Sequence, residues 1–178
     1  MFNVFTTRVV VQEGNALDVP AEGLLIAAND HLWMGGQTAQ AIKETAGEAL
    51  EAEAVRQGPV PVGSAVATGA GELSHRRIYH AVVMGQDLKA RHDQIRPALQ
   101  AGLDLARQDG ITSLVITALE SEEMLSAFHD AAREIATALF EILSGENSLQ
   151  ELTLMASSAE GKQAYRDAFL QVLRQAAG

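Results

Sequence analysis

The chain has 178 residues, a formal net charge of −10 and no cysteine. That length suits one domain with a sizeable core, and the missing cysteines exclude disulfides, cysteine-ligated zinc and a thiol nucleophile. The acidic balance argues against DNA as a partner, and the lack of any ~20-residue apolar run or basic, apolar N-terminal signal argues against a membrane and for the cytoplasm.

Apolar periodicity then gives alternating elements. Val9-Val10-Val11 reads as a strand, and Leu24-Leu25-Ile26-Ala27-Ala28 as a strand buried on both faces. A helix is expected over Thr38 to Arg56, with Ile42, Ala46, Ala49, Leu50 and Ala54 on its apolar face and Gly58-Pro59 as its stop. Ser64 to Thr68 and Ile78 to Met84 read as strands joined by a turn containing Gly69 and Gly71. A second helix spans Asp93 to Gln108, followed by a strand over Leu114 to Leu119. Phe128, Ala131, Ile135, Leu139 and Ile142 mark a third helix. Leu152 to Met155 is the last strand, and Ser157 or Ser158 caps a final helix striped by Tyr165, Ala168, Phe169 and Val172. No repeat or linker divides residues 1–178.

Strands alternating with helices imply an α/β fold with a sheet covered on both faces. Ligands of such sheets bind beyond the carboxyl ends of strands. Two junctions fit, Ala28 to Thr38 and Glu120 to Ser126. At the first, Asn29 emerges from a buried strand with an amide that both donates and accepts, which suits sugar hydroxyls. Gly35 and Gly36 permit close backbone approach. The helix start behind them, at Thr38, offers unpaired N–H groups to a phosphate. Trp33 is either a pocket wall or a loop anchor. Lys43 reads as a solvent-facing helix lysine, His80 as a satisfied core histidine, and His75-Arg76-Arg77 as solvated loop charge.

These residues stand in an order that resembles the macro domain family. Gly14-Asn15-Ala16-Leu17, Ile26-Ala27-Ala28-Asn29, Gly35-Gly36 with Ala41-Ile42, Pro61-Val62-Gly63-Ser64-Ala65, Ile78-Tyr79-His80-Ala81-Val82 and Gly110-Ile111-Thr112-Ser113-Leu114 follow the family pattern over nearly the whole chain. The resemblance implies a three-layer α/β/α sandwich with a mixed, mostly parallel sheet and a cleft for ADP-ribose or a related nucleotide. It implies that Asn15, with Ala16, lies where the family's aspartate holds the adenine amino group. Asn29 would contact the distal ribose, and Gly35, Gly36, Gln37 and Thr38 would lie against the diphosphate and that ribose.

Two departures qualify the implied activity. The family's hydrolytic branch has an aspartate after the glycine loop; Ala39 stands there, and a methyl group cannot orient water. The family's second phosphate loop is glycine-rich; Glu120-Ser121-Glu122-Glu123-Met124 replaces it. Two charges ~6 Å apart at an effective dielectric of ~20 repel by roughly 3 kcal/mol, less if exposed. The acidic loop, with His129 and Asp130, matches no metal-ligand spacing, and a solvated loop that favours the start of the third helix is the expected reading. The expectation is therefore a nucleotide-binding module with no cofactor, no metal and no confident catalytic residue, Asn29 being the candidate if the chain is active. Its alternatives are a domain that has lost ADP-ribose binding and serves another ligand or protein, and a hydrolase of ADP-ribosyl or O-acetyl-ADP-ribose esters. The second junction, residues 120–124, would complete the ligand site.

Overall fold

The computed structural model describes residues 1–119 and 128–178. Seven strands form one sheet: β1 (Phe2–Val4), β2 (Thr7–Glu13), β3 (Gly23–Asn29), β4 (Ala65–Thr68), β5 (Arg77–Met84), β6 (Ser113–Ile116) and β7 (Glu151–Ala156). Their order is β1-β2-β7-β6-β3-β5-β4. The five strands from β2 to β5 in that order run parallel, and β1 and β4 close the two edges antiparallel.

Strand side chains alternate between faces, and each face is apolar. Leu25, Tyr79, Leu114, Ile116, Leu152 and Leu154 point to one side, where helices α3 (His92–Gln108), α4 (Phe128–Leu143) and α5 (Ala159–Ala176) cover them. Leu24, Ile26, Ile78, Val115 and Met155 point to the other, under α1 (Gln37–Ala46) and α2 (Ala49–Val55). Each such buried aliphatic side chain contributes about 1.5–3 kcal/mol, and the result is the three-layer sandwich the sequence implies. Among the described residues, no helix is long and apolar enough to cross a membrane.

Three local readings need correction. The helix expected over 38–56 is two helices, because Gly47 takes φ +94° and its N–H closes α1 on the Lys43 carbonyl at 2.8 Å. The strand expected over 114–119 ends at Ile116. His75 is not solvated: it is 6% exposed, neither ring nitrogen has a partner, and burial pushes its pKa down. For His80 the core reading holds in half. Nε2 lies 2.9 Å from the Thr68 hydroxyl, Nδ1 has no partner, and burial lowers its pKa to about 4.

Sheet order positions the crevice. After β3 the chain crosses through α1 and α2 toward β5; after β6 it leads through α4 to β7, on the other side. Neighbouring parallel strands whose connections depart in opposite directions leave an opening at their carboxyl ends.

Candidate functional site

A cavity of about 300 Å³ lies at that end of the sheet, the lower bound of common ligand sites. Gly14, Asn15, Ala16 and Leu17 wall it beyond β2, Thr117 and Ala118 beyond β6, and Met155, Ala156 and Ser157 at the end of β7. Gln37, Thr38, Ala41 and Ile42 of α1 form the remaining wall. None of these residues carries a charge, in a chain whose net charge is −10.

The α1 wall is electropositive by construction. Its N-cap is Gly36, which has no side chain to accept from the first-turn N–H groups, and that turn has no acidic residue. Those amides and the helix dipole therefore favour an anion. Gly35 and Gly36 are exposed, and a Cβ on either would meet nothing within 4 Å. No internal contact of the described residues requires glycine at these two positions.

Asn15 caps a single 3-10 turn, Ala16–Asp18, by accepting from the Leu17 N–H at 3.1 Å. One oxygen lone pair and the amide NH2 are left for a ligand. Asn29 is used more fully. It is 5% exposed; its Nδ2 donates to the Trp33 carbonyl at 2.8 Å, and its Oδ1 accepts from the N–H groups of His31 at 3.1 Å and Trp33 at 3.2 Å. One amide N–H is left. The turn it holds is strained, since Leu32 sits at φ +63° with its side chain buried beside Ala28, Ala54 and Val82.

The structure thus joins Asn15, Ala16, Gln37 and Thr38 around one cavity, with Gly36 as the cap of the helix that walls it. Asn29, Gly35 and Gly36 are not among the cavity's lining residues, and the Asn29 amide is bonded to His31 and Trp33, just before the glycine pair. Glu120, Ser121, Glu122, Glu123 and Met124 lie outside the described residues. Ala39 packs its methyl against the core cluster of Leu24, Ile26, Met34 and Ile42. Trp33 is 49% exposed, lies against the His31 ring in a tilted arrangement with centroids 4.7 Å apart, and borders a separate shallow depression with Lys43 and Val55. Another concavity, of about 280 Å³, holds Asp104, Arg107, Glu141 and Glu146 and none of the predicted site residues.

Sequence reasoning missed two sets of residues. Thr117, Met155, Ala156 and Ser157 line the cavity because they lie at or beyond the ends of two parallel strands, and that position was the available signal. Ser157 is free to do so because Ser158 is the cap, accepting from the Gly161 N–H at 3.1 Å. Glu51 is the other omission. One oxygen accepts from the Met34 N–H at 2.8 Å and the other pairs with Lys43 at 3.0 Å. Lys43 is thereby a half-buried strut between α1 and α2, and Glu51 steadies the loop from below. The Met34 N–H, with help from Lys43, holds the Glu51 pKa below its ordinary value.

Comparison with known proteins fits this geometry. The Macro domain family model matches residues 26–135. A protein of Aeropyrum pernix is 34% identical over 89% of this chain and 82% of its own length. One of Pyrobaculum aerophilum is 28% identical over 94% of both chains. One of Aquifex aeolicus is 37% identical over 57% of this chain and 62% of its own length. Among solved structures, the Oceanobacillus iheyensis macrodomain with ADP superimposes with a TM-score of 0.79 at 18% identity, covering 98% of this chain and 96% of that one. The Trypanosoma brucei macrodomain in complex with ADP-ribose does so with a TM-score of 0.79 at 21% identity, covering 89% and 68%. At such identities the structural likeness speaks for the fold, and the family match for descent: this chain belongs to the macro domain family.

Proposed function

We propose that this protein is a binding module for ADP-ribose or a related nucleotide and has no hydrolase activity. One observation carries the reading: in an acidic chain, a cavity with no charged wall among the described residues opens onto the uncapped start of α1, above the point where β3 and β6 diverge. That is a seat for a phosphorylated small molecule. Two related folds were solved with ADP and with ADP-ribose, which supports the same ligand class here. In this reading Asn15 and Ala16 meet the base, and Gly35, Gly36, Gln37 and Thr38 meet the diphosphate and distal ribose. Asn29 offers its remaining N–H to that ribose. Ala39 supplies no base, so bound ligand is held and not cleaved. The charge balance and the absence of cysteine support a cytoplasmic protein that does not engage DNA.

Isothermal calorimetry with ADP-ribose tests binding, and a saturable isotherm is expected. No heat at millimolar ligand would favour the second reading, a domain that has lost ADP-ribose and serves another ligand or a protein. Its motivation is Glu120-Ser121-Glu122-Glu123-Met124, an acidic sequence standing where the family pattern has a glycine-rich phosphate loop. Changing Glu122 and Glu123 to glycine should raise ADP-ribose affinity about tenfold if those charges oppose the ligand, about 1.4 kcal/mol. Incubation with ADP-ribosylated protein and with O-acetyl-ADP-ribose tests the third reading; product release above the uncatalysed rate would establish a hydrolase.

A further inference from the structure

Among the described residues, four buried side-chain polar atoms have no hydrogen-bond partner: both ring nitrogens of His75, Nδ1 of His80 and Oγ1 of Thr117. Neither histidine borders a cavity described above, whereas Thr117 does. It directly follows β6, the residue is 2% exposed, and its backbone N–H is fixed on the Leu25 carbonyl at 2.9 Å. A hydroxyl shielded from water and left unmatched destabilises the protein that carries it. Valine has nearly the same shape and would avoid that loss. Stability alone therefore gives no reason for threonine here; a partner that arrives from the cavity does.

The chemistry of that partner follows from other residues that line the same cavity. Gln37 and Thr38 bring the start of α1 to the same cavity, with first-turn amides that have no side-chain cap and no nearby acid in that turn. A positive helix end and a hydroxyl donor that border one cavity together favour a negatively charged oxygen.

We infer that Thr117 is a ligand-contact residue whose hydroxyl donates a hydrogen bond to a phosphoryl oxygen of the bound nucleotide. The inference rests on the nucleotide-binding reading above and adds a residue and an atom to it. A cost to the empty protein is thereby exchanged for affinity in the complex.

The test pairs Thr117→Val and Thr117→Ser with two readouts on the full chain. In thermal unfolding without ligand, Thr117→Val should melt at or above the wild-type temperature. In calorimetry, its affinity for ADP and for ADP-ribose should fall about tenfold, its affinity for adenosine should not change, and Thr117→Ser should stay within about threefold of wild type for all three. A lower melting temperature for unliganded Thr117→Val would overturn the inference, because the hydroxyl would then serve the fold. Undiminished ADP and ADP-ribose binding by that variant would overturn it too, with the nucleotide-binding reading left standing. An equal loss for adenosine would move the contact to the nucleoside and overturn the phosphoryl assignment. If wild-type protein binds neither ADP nor ADP-ribose, the parent reading fails and takes this one with it.

Discussion

Replacing Asn29 with alanine should weaken the empty protein before any ligand is added. The amide ties residues 29–33 together through three bonds, to the Trp33 carbonyl and from the His31 and Trp33 N–H groups. The turn they close holds Leu32 at φ +63°, a conformation that costs a non-glycine residue about 1 kcal/mol or more unless its surroundings enforce it. Each bond contributes ~1 kcal/mol net, and half-exposed backbone groups regain part of that from water. The expected loss is therefore ~2–3 kcal/mol. For a chain of this size, 1 kcal/mol moves the melting temperature by about 2–4 °C, so Asn29→Ala should melt ~5–10 °C lower. Thermal unfolding of the unliganded variant, followed by circular dichroism, measures this directly. A melting temperature within a degree of wild type would refute the reasoning and leave Asn29 as a ligand contact alone.

Other substitutions probe the remaining parts of the site. Asn15→Asp keeps the cap on Leu17, since aspartate caps as well as asparagine, and supplies a charged acceptor. ADP-ribose affinity by calorimetry should rise about three- to tenfold, and a fall would show that the side chain does not meet the base amino group. Glu51→Gln removes the charge that ties the Met34 N–H to Lys43. Because the folded pKa of Glu51 lies below its ordinary value, its stabilising effect is complete above the ordinary carboxylate range and is lost as pH falls through the folded value. Urea unfolding should separate variant from wild type at pH 7, and the gap should shrink as pH falls below the ordinary carboxylate range; a gap that does not change with pH would contradict the ion-pair account. Gly71→Ala tests the frame around α1. Gly71 sits at φ +57°, and a Cβ there would lie 2.1 Å from the Ala46 carbonyl oxygen, which already accepts from the Glu72 N–H at 2.9 Å. A loss of ~3 kcal/mol or more is expected in chemical denaturation, and wild-type stability would contradict the geometry.

Much of this architecture was legible because burial writes itself into period. Leu24 to Ala28 could belong only to a buried element, and the stripes of α3, α4 and α5 named the face each would bury. β1 left no such mark: three residues on an antiparallel edge show no periodicity. The break at Gly47 was masked because α1 and α2 pack on the same side of the sheet, so Ile42, Ala46 and Leu50 keep helical spacing across it. The site divides along the same line. Thr38 was accessible from a helix start, whereas Asn15 and Gln37 were accessible only through the family resemblance. The Glu51 strut joins residues 17 apart through a fold not visible in spacing. The unmatched hydroxyl of Thr117 is a tertiary fact, since a threonine at a strand end satisfies its side chain in most settings. Asn29 shows the opposite limit: sequence placed it at the end of a buried strand, and only coordinates revealed that most of its amide serves the loop.

The central claim is that a nucleotide enters the cavity at the start of α1. Chemical-shift mapping of isotope-labelled protein during an ADP-ribose titration tests it most directly. The account predicts shifts concentrated at Gly14 to Leu17, Gly35 to Thr38, Thr117, Ala118, Ala156 and Ser157, with none at Asp104, Arg107 or Glu146 around the other concavity. Shifts that cluster there, or a spectrum unchanged at saturating ligand, would contradict it.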